Sequence, residues 1–74
     1  MKLPILSGIE VIKILCKVGF RITRQSGSHI ILINDENPKR TVVVPKHKEL
    51  AIGTLLSIIT QSGLSREEFM EFLR

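Results

Sequence analysis

The sequence predicts an α+β domain in which helices flank a three-stranded antiparallel meander. Three observations carry that prediction. Ser7-Gly8-Ile9-Glu10 and Ser65-Arg66-Glu67-Glu68 both have the spacing of a capping box, so a helix should open at each. Between them, Phe20 to Val44 holds three short runs rich in β-branched residues, separated by a Gly/Ser turn and by an Asn/Asp/Pro loop. The segments around it repeat their apolar residues at helical spacing instead.

The first helix should place Val11, Ile12, Leu15, Cys16 and Val18 against a core, with Lys13 and Lys17 on the other side and Gly19 as its stop. Phe20-Arg21-Ile22-Thr23-Arg24-Gln25 alternates, which suits a half-buried strand: Phe20 and Ile22 face in, and Arg21, Thr23 and Gln25 face out. A turn follows at Ser26-Gly27-Ser28. His29 to Ile33 is apolar on both parities, as a central strand would be. Asn34 to Pro38 is a loop, and Thr41 to Val44 is a third strand ended by Pro45, which cannot donate to a ladder. Gly53-Thr54 reads as the entrance to a second helix capped by Thr54, with Leu55, Leu56, Ile58 and Ile59 buried and an end near Ser62-Gly63. A short third helix then packs Phe69, Phe72 and Leu73. Helices at both ends of a meander make a two-layer domain with one sheet face covered and one open, and the open face keeps apolar residues that suit a partner.

A chain of 74 residues has room for one such domain, spanning residues 1–74. No apolar run approaches the ~20 residues of a membrane span. The opening Met1 to Gly8 has too short an apolar stretch for a signal peptide, so a soluble, cytoplasmic protein is expected. A single cysteine excludes an internal disulfide; Cys16, in an apolar helical pattern, is expected as a buried thiol. Two histidines without a carboxylate or thiolate pattern make a poor zinc site, and no metal or other cofactor is expected.

The charge is uneven. Up to Lys48 there are nine Lys/Arg against three Asp/Glu; from Glu49 onward there are two against four. A cationic first two thirds favours a polyanion such as nucleic acid, or serves only to keep the surface solvated. The chemistry-bearing stretch is Arg24-Gln25-Ser26-Gly27-Ser28-His29. It sets an imidazole, which titrates near neutral pH, at a turn beside an arginine suited to phosphate. Lys46-His47-Lys48 offers further charge, with His47 as a reserve acid or base. The bland alternative is that His29 is only a polar residue at a strand end.

These residues, in this order, carry a resemblance. Leu3-Pro4, Ser7-Gly8, Gly19-Phe20, Arg24-Gln25-x-Gly27-Ser28-His29, Val44-Pro45-x-His47, Gly53-Thr54-Leu55 and Gln61-x-Gly63-Leu64 resemble the HicA toxin family, from residue 3 to about residue 73. The link from His47 to Gly53 is compact for that family. The resemblance implies a double-stranded-RNA-binding-domain-like fold, α-β-β-β-α with a short extra C-terminal helix. It also implies a toxin that cleaves messenger RNA without a metal, and a HicB-type antitoxin that blocks it. The family's catalytic histidine lies in the Gly-Ser-His turn, here His29.

RNA cut this way supplies its own 2′-hydroxyl nucleophile. The protein then needs a proton acceptor, positive charge and positioning. The expected roles are His29 for proton transfer and Arg24, Lys46 or Lys48 for phosphate charge. Gln25 and Ser28 are expected to contact phosphate, 2′-hydroxyl or base, and Gly27 to allow close backbone approach. Two other classes remain: a non-catalytic double-stranded-RNA-binding module, against which stands the lack of any basic residue from Gly53 to Ser62, and a pure protein-interaction domain.

Overall fold

A computed structural model describes residues 3–36 and 38–73; Met1, Lys2, Arg74 and, within the Asn34–Pro38 loop, Asn37 lie outside the described residues. The elements run α1 (Gly8–Val18), β1 (Arg21–Ser26), β2 (His29–Asn34), β3 (Arg40–Pro45), α2 (Ile52–Ser62) and α3 (Arg66–Glu71). Both capping boxes form. Ser7 and Ser65 each accept from the backbone of the glutamate three residues on, and Glu10 and Glu68 each accept from the backbone N–H of their serine. Gly19 closes α1 with φ at 118°, where a side chain would be strained.

The strands form one antiparallel sheet in the order β1-β2-β3, so the apolar β2 is central and Pro45 falls on an edge strand, where a missing donor costs least. The register pairs Ile30 with Val44 and Leu32 with Val42. These four are buried under the helices, α2 on β3 and α1 reaching β1 and β3. Val11, Leu15, Leu55, Ile58 and Phe69 complete the core with almost no exposure. Each such side chain contributes ~1.5–3 kcal/mol by leaving water, and that burial holds an α+β domain this small together. The opposite face of the sheet, with Ile31, Ile33, Thr41 and Val43, has no helix over it.

Several local expectations change. α2 begins at Ile52 with Ala51 as its cap and no side-chain cap bond, so Thr54 lies inside the first turn. Ile14 belongs to the core of α1, whereas Cys16 is exposed. An 11-residue helix that crosses the sheet at one angle buries one stripe, here Val11, Ile14 and Leu15, and Cys16 sits beyond its edge. Phe69 of α3 is buried, whereas Leu73, just past the end of that helix, is exposed.

The largest difference is in β1. Arg21 pairs with Ile33 and Ile22 with Leu32, but Arg24 then pairs with Ile31, so Thr23 is an extra residue. A bulge of this kind reverses which residues share a face. Thr23 secures it by donating its hydroxyl to the Ile31 carbonyl at 3.1 Å. Beyond it Gln25, paired with Ile30, is on the helix side of the sheet rather than facing out, and Arg24 is on the open side. Ile22 keeps the core-side parity but remains 53% exposed, because α1 covers the edge of the sheet incompletely.

Candidate functional site

Ser26 pairs with His29, leaving Gly27-Ser28 as a two-residue hairpin turn. Gly27 has φ at 59°, and it is first of the two central residues, the position of glycine in a type II′ turn. The Gln25 side chain braces this turn by donating to the Gly27 carbonyl at 3.0 Å. A rigid two-residue turn fixes His29 at the first position of β2. There its side chain is exposed to solvent rather than spent in the core.

Across the ladder His29 pairs with Pro45 on one side and Ser26 on the other. Arg24 pairs with Ile31, two residues along β2 from His29 and of the same parity. Arg24 and His29 therefore stand diagonally on the helix-free face, about 7–8 Å apart between backbones. Arg21 shares that face but is held by Asp35, to which it donates from two nitrogens at 2.7 and 3.0 Å. Arg40 packs its guanidinium against Gly63 at the carbonyl end of α2, where a cation is favoured. Among the described residues Arg24 is in no ion pair, so its charge is left for a ligand.

The Lys46-His47-Lys48 connection is strapped to the same end of the sheet. The Lys46 N–H donates to the Ser28 carbonyl at 2.6 Å, the Gly8 N–H to the His47 carbonyl at 2.9 Å, and the Leu50 N–H to the Leu6 carbonyl at 2.8 Å. Gly8 is required there: a Cβ would run into the Pro45 carbonyl. The strap thus brings the hairpin turn, the cationic loop and the start of α1 into one neighbourhood. Nothing in residue pattern announced it beyond a glycine at the first helical position.

The expected residues are divided between two sides of that neighbourhood. Arg24 and His29 belong to the open face; Gln25 and Lys46 line a groove on the helix side. Gly27 and Ser28 form the tip between them, and His47 and Lys48 are exposed in the strap. Among the described residues no group of three or more His, Cys, Asp or Glu converges as a metal site, and no buried side-chain polar atom lacks a partner. Among the described residues no helix is long and apolar enough to cross a membrane.

A family model described as the HicA toxin of bacterial toxin-antitoxin matches residues 8–64 of the chain. That span runs from the first residue of α1 to just past α2 and includes the whole sheet, the turn and the strap. No curated relative matches.

Proposed function

Because the chain belongs to the HicA toxin family, we propose that it is an endoribonuclease of the messenger-RNA interferase type, working without a metal and with His29 in proton transfer. The observation that carries this reading is the placement of an exposed histidine and an arginine that, among the described residues, is free of ion pairs, on one face of the sheet across a rigid turn. As general base, His29 takes the proton of a ribose 2′-hydroxyl. The oxygen attacks the adjacent phosphorus, and the 5′-oxygen leaves with a proton from an acid or from water. The products are a 2′,3′-cyclic phosphate and a 5′-hydroxyl end. Arg24 neutralises charge on the phosphorane, and its guanidinium suits two of the phosphate oxygens at once.

Lys46, His47 and Lys48 contribute phosphate contacts from the strap, and Ser28 and Gly27 let the RNA backbone approach the turn. Gln25, already bonded to Gly27, holds the turn in shape and reaches RNA only at the cost of that bond. A HicB-type antitoxin is the partner expected of a family defined by toxin–antitoxin pairs. The site works in the cytoplasm, where messenger RNA is.

The test is incubation of purified protein with single-stranded and duplex RNA in excess chelator, followed by end-group analysis. Cleavage of single-stranded RNA to cyclic-phosphate ends supports the reading. Duplex binding without scission would instead make the chain a non-catalytic double-stranded-RNA-binding module. Scission that stops on chelation would overturn the metal-free step.

A further inference from the structure

The flank of α1 beside its buried stripe is not polar: Ile9 and Cys16 are exposed there, and Ile12 is partly buried against the core. Ile9, Ile12 and Cys16 form a second stripe at i, i+3 and i+7, about 10 Å along the helix axis, and Ile9 is 50% exposed. The stripe faces β1 across a groove of about 670 Å³ whose far wall is Ile22, 53% exposed, and whose floor reaches the core at Ile30. Lys13 and Lys17 border it along α1, and Lys46 stands where the groove meets the hairpin turn. Glu10, the one acid on α1, is committed to its own cap: its carboxylate accepts from the Ser7 N–H at 2.8 Å. The border is therefore cationic over an aliphatic interior.

We propose that this groove docks an acidic amphipathic helix of a partner protein. Charge complementarity selects the acid: carboxylates flanking an apolar ridge meet Lys13, Lys17 and Lys46. The three-four spacing of Ile9, Ile12 and Cys16 is the seam a second helix packs against. Two alternatives fit less well. Strand addition to β1 meets a bulge at Thr23, which breaks the regular edge that such pairing needs. A nucleic-acid base finds no aromatic or arginine surface to stack on, because the lining is aliphatic. The groove lies on the helix side of the sheet, away from His29 and Arg24 on the open face, and shares Lys46 with the phosphate contacts proposed above.

Cys16 is the only cysteine and lies in the groove, so its alkylation by a maleimide reports occupancy. The probe is a synthetic amphipathic helix with leucines at three-four spacing flanked by glutamates. Its controls are a scrambled peptide, a lysine-flanked version and an oligouridylate. The proposal requires the acidic helix alone to slow alkylation of Cys16. Lys13→Glu with Lys17→Glu should weaken that protection on the order of tenfold and restore it to the lysine-flanked peptide. Lack of protection at concentrations where the peptide is helical overturns the proposal, as does equal protection by the scrambled peptide. Protection by the oligouridylate in place of the peptide overturns it in favour of RNA. The same measurement on the His29→Ala protein should be unchanged, so failure of the catalytic reading leaves this result standing.

Discussion

Arg24 and His29 share the helix-free face of the sheet only because Thr23 is an extra residue in β1. With the ladder unbroken from Ile22 to Leu32, Arg24 would have fallen on the helix side, level with Ile30. The bulge turns it to the side of Ile31 and His29, so the local irregularity of an edge strand assembles the candidate site.

The two arginines of β1 should therefore behave differently toward RNA. Arg24→Gln is expected to weaken binding and to lower the slope of log affinity against log salt by about one phosphate contact. Arg21→Gln should do less, since Arg21 is already held by Asp35 at 2.7 Å. Salt titrations of both variants by fluorescence anisotropy check this, and an equal or larger loss at Arg21 would count against the assignment of Arg24.

Gly8 should be a structural control on the strap. Gly8→Ala forces the Pro45 carbonyl away from α1 and is expected to cost ~1–3 kcal/mol. In a domain this small that lowers the melting temperature by about 5 °C or more. The displaced strand end also carries Lys46 and His47, so RNA affinity should fall with stability. An unchanged melting curve would show that the strap yields freely.

Gly27 offers a milder contrast. With φ at 59° and open space around it, Gly27→Ala meets only backbone strain, about 1 kcal/mol, and Gly27→Asn should cost less because asparagine enters this region more readily. Urea denaturation of the pair reads the difference. Equal losses would mean that the turn rearranges.

The first capping box carries a pH signature. Hydrogen bonding from the Ser7 backbone, then from its side chain, lowers the Glu10 carboxyl below its ordinary 4.5. A carboxyl depressed in the folded state contributes stability that is present above its unfolded value and lost as pH falls through its folded one. Glu10→Gln should therefore destabilise at about pH 7, by an amount that shrinks as pH falls below the ordinary carboxyl range, as denaturant titrations across a pH series would record. A difference independent of pH would mean that charge plays no part in the cap.

The order of elements and both ends of α1 were legible in the sequence because each rests on a local rule: Ser7 with Glu10 opens that helix and Gly19 closes it. The turn was legible for the same reason, since Gly27 needs its positive φ. The outward orientation expected for Gln25 failed because alternation carries no mark of an inserted residue; only pairing with β2 reveals the bulge at Thr23. Cys16 was misplaced by a different cause. α1 has apolar residues on two stripes, and composition alone does not say which one meets the sheet. The strap through Ser28, Gly8 and Leu6 is a long-range backbone arrangement, invisible to side-chain pattern.

The central claim is that His29 moves the proton in RNA cleavage, and the most direct measurement compares RNA cleavage by purified wild-type and His29→Ala protein. His29 is exposed and outside the core, so the variant should keep its melting temperature and most of its RNA affinity. Its cleavage rate should fall by ~10²–10⁴-fold, the usual contribution of a positioned general acid or base. Equal cleavage by the two proteins would contradict the account.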